Sequence, residues 1–424
     1  MKPLRSESFA PFRHRDFALF WSGAFVSNIG TWMETVAFGV YVTNRTGQVV
    51  WPGIVAAAAF VPVAFLGPLG GALADRLPRR ALLLATTGVQ MLFAGLITTL
   101  MVIGHPAPGV VALVAFGSGC AAAMGFPAYQ ATIPDLVPIE DLAGAIALGS
   151  AQWNLGRVIG PLLAGVAIKL GGIPWALGLN TVSFFAVVVV LLLITLPRPH
   201  ADARAEKIVA AIRSGFRFVR ADPGLRVVVQ TMSLNTLLAA PFIALVPAMA
   251  IKVFGAAKGG TSVLVTAQGI GAVAAALAMG PLGARHGMRW IMVRSVGLVP
   301  IALILYAVAP TLPLSAVAIL VVGALYLASL STFTTIAQQR APAEYRGRVL
   351  SVNNVVLGTL YPLGAALEGL LADHFGLRTV TAGSAIMMLV VLVAVRMLRP
   401  GYTRAVETPF RAGDYVAAER TEES

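Results

Sequence analysis

Three ionisable side chains, Glu34, Arg157 and Glu368, fall inside long apolar stretches of the chain. On insertion scales a charge at bilayer depth costs about 2.5–3.5 kcal/mol, so each is a candidate for a proton relay, an ion pair or a substrate contact. Glu34 lies 17 residues into the stretch 17–42 and Arg157 lies 15 residues into 142–170. At about 1.5 Å per helical residue both sit about 22–25 Å from where their segments begin, a matched depth that allows pairing between neighbouring helices. Two chemistries fit such a pair. One is a structural lock, and the other is proton uptake by Glu34 that loosens its hold on Arg157 and couples proton entry to a conformational switch. Glu34 shares a stripe with Gly23, Ser27, Gly30 and Tyr41, and Arg157 lies in "NLGRVIGPLLAG", where Asn154, Gly156, Gly160 and Pro161 form a motif whose glycines allow close approach. Glu368 lies on a stripe with Asn354, Gly358, Tyr361 and Ala365, where it is an interfacial acid, an outer-gate residue or a contact for a cationic substrate group.

A second group is "GALADRLPRR", residues 71–80, which breaks two apolar blocks with one acid and three arginines. Asp75 ends one helix, and another begins near Arg346 and Arg348 on the same side. A carboxylate opposite a helix N-terminus gains dipole stabilisation, and an arginine there adds an ion pair. Gly71, Asp75, Arg76, Arg80, Arg346 and Arg348 therefore form a candidate gate, whereas Arg79 and Arg80 also serve as plain topology anchors. Scattered polar groups, Asn28, Trp32, Gln130, Gln230, Asn235, Tyr326, Thr332 and Tyr361, are candidates for a cavity that handles amphipathic substrates through a few hydrogen bonds. No phosphate-binding loop, no His/Cys cluster for a metal and no nucleophile–base arrangement is present, so the sequence points to no enzyme, metal or cofactor. The one cysteine, Cys120 in "GSGCAAAMG", reads as a packing residue, and Asn44-Arg45-Thr46 lies too close to a membrane end to weigh as a glycosylation acceptor.

These residues need elements that cross a membrane. Of 424 residues 58% are hydrophobic and 12% charged, with a mean hydropathy of +0.82, a composition of polytopic membrane proteins. Apolar segments of membrane-crossing length fall at 17–42, 50–74, 81–103, 109–131, 142–170, 174–196, 227–251, 260–284, 290–309, 313–336, 349–373 and 379–398, spans 1 to 12. Because lipid offers no partner to a bare backbone, all are expected to be helices. With the N-terminus inside, 25 of the 31 Lys and Arg fall on the inner side, which predicts both termini cytoplasmic in the cell membrane. The net charge of +13 then reports this bias and attraction to anionic lipid heads, with no nucleic acid implied. Span 1 is too long for a signal-peptide core and is expected to remain. Spans 6 and 12 carry long aliphatic runs and are expected to face lipid.

The chain divides into a tail (1–16), six spans (17–196), a linker (197–226), six spans (227–398) and a second tail (399–424). In the linker Ile208, Val209, Ile212, Phe216 and Val219 recur at helical spacing between basic residues, which predicts an amphipathic helix on the inner membrane surface. "GALADRLPRR" returns in degenerate form as "GPLGARHGMR" at 280–289, and "PIEDLAGAIAL" at 138–148 as "PAEYRGRVLS" at 342–351, so the halves are duplicates.

Twelve spans in two duplicated halves, a basic linker and G-x-x-x-D-R-x-x-R-R after span 2 resemble the major facilitator superfamily. The family usually has glycine where Pro78 stands, which stiffens this turn. "LFWSGAFVSNIGTWMETVAFGVYVTNRTG", "FPAYQATIPDLVPIEDLAGAIAL", "NLGRVIGPLLAG" and "GFRFVRADPGLRVVV" resemble the enterobactin-exporter and macrolide-efflux branch. The resemblance implies an all-α membrane protein of two pseudo-symmetric six-helix bundles, with spans 1 and 5 adjacent, and a monomer that moves a small molecule by alternating access. It favours proton-driven export of a siderophore, antibiotic or drug. An uptake symporter, or a non-transporting sensor on the same fold, is the alternative.

Overall fold

In the computed structural model the described residues are 9–196, 208–256, 259–408 and 410. Among them there are helices and no strands. They are α1 (Arg15–Thr46), α2 (Val50–Arg76), α3 (Arg79–Ile103), α4 (Pro108–Thr132), α5 (Leu142–Gly171), α6 (Ile173–Leu193), α7 (Ile208–Ala221), α8 (Pro223–Leu238), α9 (Phe242–Ala248), α10 (Gly260–His286), α11 (Met288–Val308), α12 (Leu312–Arg340), α13 (Ala343–Phe375) and α14 (Leu377–Leu398). Among the described residues ten segments are long and apolar enough to cross a membrane, with α8 and α9 belonging to one of them. The two other predicted spans fall on α1 and α5, the helices that carry Glu34 and Arg157 and so are the more polar.

The helices run on through most of their prolines. Pro62 and Pro68 lie inside α2 and Pro161 inside α5, where neighbouring helices replace the lost backbone bond. Predicted span 7 departs from this, because it breaks after Leu238, restarts at Phe242 and ends in a π turn over Met249–Val253. Pro241 stands at the restart, and close approach of α13 at Gly364 seats its backbone against Leu237 and Pro241. The duplication shows in the turns, since α5–α6 and α13–α14 are each joined by one glycine in a left-handed φ, Gly172 (78°) and Gly376 (83°).

α1 packs on α5 and α6, α3 on α4 and α6, and α2 on α4; in the second half α10 and α11 pack on α12, α11 on α14, and α13 on α8. Two seams join the halves, α2 with α13 and α5 with α10. The linker helix α7 forms as expected; of the apolar positions named for it Phe216 is exposed and Val219 is buried, the side chains of Ile208, Val209 and Ile212 lie outside the described ones, and Phe218 is buried against protein. Phe218 stacks on Tyr345 of α13 at 4.6 Å between ring centroids, and Gly215 lets the Arg348 carbonyl of α13 come close. The aromatic and small residues of its apolar face find a better partner in protein than in lipid, so α7 is fastened to the second half.

The core is asymmetric. One apolar cluster runs through both halves; its first-half members, such as Met33, Phe38, Val111 and Leu177, lie towards the face where α1 ends and α2 begins, where they meet Leu245 and Met249, and in the second half it continues through Tyr361 and Ile336 to Val406. Towards the opposite, arginine-rich face, Phe17, Phe20, Leu82, Leu83, Leu136 and Leu191 form a cluster of the first half alone. Phe218, Leu225, Tyr345, Val349 and Val352 form another of the second half alone. The halves are therefore welded at one face and separately packed at the other.

Candidate functional site

Arg157 lies midway along α5, where Gly156 and Gly160 bring α1 within contact. A Cβ on Gly156 would stand 2.6 Å from Asn28 Nδ2, and one on Gly160 2.5 Å from the Trp32 Cβ. The Asn28 amide donates to the Gln152 carbonyl at 3.1 Å, and Gln152 Oε1 accepts from the Tyr129 hydroxyl at 2.8 Å, fixing α1, α4 and α5 to one another. This leaves the Arg157 guanidinium over the Trp32 ring, 5.3 Å from its centroid, with only 7% of the residue exposed. Trp32 meets Trp153 edge to face at 6.3 Å, and Trp153 is half exposed. Tyr326 of α12 and Tyr361 of α13 lie within electrostatic reach of the guanidinium. They are held edge-on by Phe242 at 5.7 Å and Phe60 at 5.1 Å, and in α10 Gly269 packs against the Arg157 carbonyl and Val158. Both halves thus contribute to a centre of one arginine and several aromatic rings.

Glu34 and Arg157 do not pair here. Glu34 Oε2 accepts from the Asn180 amide of α6 at 2.6 Å, and among the described residues no ion pair joins the two. Matched depth was readable from the sequence, whereas the direction around the helix was not: Glu34 follows Gly23 and Gly30 into the α1–α6 seam, and Arg157 faces the centre. Asn180 and Ser183 were passed over in a segment read as lipid-facing; two polar residues ahead of the aliphatic run were the available signal. The outer faces of α6 and α14, with Val182, Phe185, Leu192, Met387, Val390 and Met397, are exposed as expected of lipid contact.

Other candidates are dispersed. Gln230 accepts from the Tyr402 hydroxyl at 2.7 Å and so is bound to the C-terminal segment, away from the centre. Thr332 donates to the Ser329 carbonyl, and Ser329 to Ser295 Oγ at 3.0 Å, so these hydroxyls tie α12 to itself and to α11. Gln130 is exposed on α4, and Asn235 is fully buried with neither amide atom partnered. Glu368 is 5% exposed beside Ser384 of α14, with Oε1 unpartnered.

At the basic face the side chains of Asp75 and Asn154 lie outside the described ones. Arg76 and Arg346 are exposed, Gly71 has open space where a Cβ would stand, Arg346 Nε donates to the Ala341 carbonyl at 3.3 Å, and Arg348 lies over the Tyr345 ring at 4.8 Å. Arg79 pairs with Asp135 and Arg80 donates to the Ile194 carbonyl, stapling the start of α3 to the ends of α4 and α6. A fully buried Asp222 caps α8 and takes a two-point pair from Arg340 at 2.6 and 2.9 Å; Arg340 also donates to the Val406 carbonyl. Every one of these bonds stays within one half.

The opposite face is the reverse. Asp373, at the end of α13, accepts from the backbone N–H groups of Val49 at 2.6 Å and Val50 at 3.0 Å, where α2 begins. Lys252 donates to the Gly47 carbonyl at 2.5 Å and lies 3.8 Å from Asp373. Gly39 abuts Pro247, and Gly53 abuts the Ala365 backbone. Asp373 and Lys252 were missed because their partners are mostly backbone groups, which carry no side-chain pattern.

Two helical halves sealed at one face, parted at the other and joined around a polar centre are the architecture of a major facilitator transporter, a multi-pass membrane protein for a small-molecule substrate. A sequence-family description, transmembrane secretion effector, matches residues 6–410, and the chain belongs to this family within the superfamily. It is 30% identical over 367 residues to the enterobactin exporter EntS of Salmonella choleraesuis (strain SC-B67), covering 84% of this chain and 85% of the exporter. It is 28% identical to the multidrug efflux pump Tap of Mycolicibacterium fortuitum (89% and 94% covered) and 22% identical to macrolide efflux protein A of Streptococcus pyogenes (85% and 90%). Among solved structures a bacterial homolog of the human lysosomal transporter Spinster, inward-facing, superposes with a TM-score of 0.71 at 15% identity, covering 94% of this chain and 98% of that one. The nucleoside transporter NupG gives 0.69 at 14% identity, with 93% and 100% covered.

Proposed function

We propose that the chain is a proton-driven exporter of an amphipathic small molecule of the siderophore, antibiotic or drug type, working as a monomer in the cell membrane by alternating access. The observation that carries this reading is the split core: the halves share one apolar cluster at one face and none at the other, around the Arg157 centre. Three of the relatives named above are exporters or efflux proteins, which supports the outward direction. The basic face is the cytoplasmic one, with both termini there, because Lys and Arg sort inward and favour anionic lipid heads. All twelve spans cross, those on α1 and α5 included, and bundles 17–196 and 227–398 rock against each other with α7 of the linker carried by the second. Substrate enters from the cytoplasm in the state described here.

In the other state the cytoplasmic face closes, and Asp75 then meets the start of α13 near Arg346 and Arg348, mirroring the way Asp373 meets the start of α2. Glu34 is the proton carrier: it is protonatable, lies in the α1–α6 seam and has one amide partner whose bond depends on its charge. The test is accumulation of macrolides, catecholate siderophores and hydrophobic dyes by energised cells with and without the protein. Expressing cells are expected to accumulate less of at least one compound, and collapse of the proton gradient is expected to abolish the difference. Faster energy-dependent uptake with no effect on efflux establishes a symporter instead.

A further inference from the structure

Arg157 is 93% buried, and among the described residues its guanidinium has no acceptor. Nε is fully enclosed without a hydrogen-bond partner, and among the described residues no carboxylate pairs with any part of the group. The acids of the surrounding helices have partners of their own: Glu34 is bonded to Asn180, Glu368 lies beside Ser384, and Asp373 is bonded to the start of α2. A buried charge left without a partner is costly, so its retention calls for an acceptor that arrives from outside. The surroundings specify that acceptor. The indole N–H of Trp32, whose ring lies under the guanidinium, is a second enclosed donor with no partner. Trp153 extends the aromatic wall towards solvent, and Tyr361 and Tyr326 complete it from the other half. Of the unmatched buried atoms here Arg157 Nε and the Trp32 indole N–H are donors and Asn28 Oδ1 is the one acceptor, so the full positive charge and most of the unmatched bonds point from protein to ligand, the opposite of what an organic cation needs. A planar guanidinium fork matches a carboxylate, sulfonate or paired phenolate, and the rings match a flat aromatic body.

We infer that Arg157 is the anion-recognition residue of the central site, and that the protein selects compounds bearing an anionic oxygen group on an aromatic or apolar body. The inference rests on the transporter reading for the location of the site, but binding tests it without transport. The full chain in lipid nanodiscs would be equilibrated by dialysis with 1-naphthoate, 1-naphthamide or 1-naphthylmethylammonium, which share one ring system and differ in charge, with empty nanodiscs subtracted. Naphthoate is expected to bind about ten-fold or more tighter than naphthamide, as one charge-assisted contact in a buried site allows, and the ammonium weakest. Arg157→Gln is expected to erase the naphthoate advantage. Arg157→Lys is expected to retain part of it, having the charge without the fork. Arg396→Gln, at the exposed end of α14 and away from the centre, is expected to leave the ratio intact, which separates the site from the general pull of a basic protein. If Arg157→Gln fails to fold, the wild-type series and Arg157→Lys still decide. Equal binding of naphthoate and naphthamide by the wild type overturns the proposal, as does tighter binding of the ammonium or an unchanged ratio in a folded Arg157→Gln. Anion-selective binding without gradient-driven naphthoate movement in proteoliposomes upholds this proposal and removes the export reading alone.

Discussion

Glu34 and Gly30 illustrate how single atoms hold the α1–α6 seam. A Cβ on Gly30 would overlap both Asn180 Oδ1 and Ser183 Oγ, the first belonging to the amide that binds Glu34. Gly→Ala inside a helix ordinarily gains about 0.8–1 kcal/mol of propensity. Here overpacking at about 1–3 kcal/mol outweighs it. Gly30→Ala is therefore expected to lower the thermal unfolding temperature of the purified protein, and a rise would show that the seam opens without cost. Glu34→Gln keeps the shape and a hydrogen-bonding group while fixing a neutral side chain. Because Arg157 does not depend on Glu34 in this state, folded yield is expected to hold. Downhill substrate exchange is expected to survive as well, while gradient-driven uphill transport fails. Full pH-dependent uphill transport by Glu34→Gln in proteoliposomes would move the proton site elsewhere, with Glu368 the next protonatable group buried among the helices.

At the scale of elements, the antiparallel pair α2 and α13 carries an aspartate near the C-terminal end of each, Asp75 and Asp373, and Asp373 bonds the N-terminus of α2; the proposed mechanism gives Asp75 the matching role at α13 in the other state. The first N–H groups of a helix lack intrahelical partners, so a carboxylate there is worth about 1–2 kcal/mol as cap and dipole partner together. Asp373→Ala removes this seal from the closed face and, with that face outermost as proposed, is expected to shift the population outward-open by roughly 5- to 30-fold. Asp75→Asn is expected to shift it the other way, towards inward-open. Labelling of single cysteines placed in each cavity, in a Cys120→Ser background, reads both, and shifts of the same sign in the two variants would remove the reciprocal arrangement. The spans themselves were legible because lipid forces backbone bonds to close within a helix, leaving length and apolarity as sufficient signals. The break in span 7 was not, since prolines sit unbroken inside α2, α5 and α13 while Pro241 marks a restart, a difference made by how Gly364 brings α13 against it. The amphipathic period of α7 was readable, but its resting place was not, because periodicity says that a face is buried and leaves open whether lipid or the Tyr345 ring covers it. At the centre, residue types pointed to Trp32, Arg157, Tyr326 and Tyr361, whereas the azimuth that separates Arg157 from Glu34 is a property of helix packing.

For the whole molecule, alternating access requires that the weld at the Asp373 face part as the clusters at the arginine-rich face meet, and the two faces are built differently for it. Across the welded face the halves touch through glycines against backbone or proline and through few polar bonds, Asp373 with Val49 and Val50, and Lys252 with Gly47. Contacts of this kind are lost together when the helices separate and leave only short polar groups to be rehydrated, so two states of similar energy are attainable. On the other face the strong ion pairs, Arg79 with Asp135 and Arg340 with Asp222, lie within each half and survive the motion, so each half moves as a rigid body. A tether across the weld must then stop the cycle without harming either half. Val49 and Lys252 line one small cavity from opposite halves, so cysteines at these positions, Val49→Cys with Lys252→Cys in the Cys120→Ser background, are placed for a short cleavable dithiol cross-linker. Cross-linking is expected to abolish uphill transport in proteoliposomes and to leave the 1-naphthoate affinity of the inward-facing site unchanged, and cleavage of the linker is expected to restore transport. Undiminished transport by quantitatively cross-linked protein would mean that the welded ends of the halves need not separate, and that substrate leaves by another path.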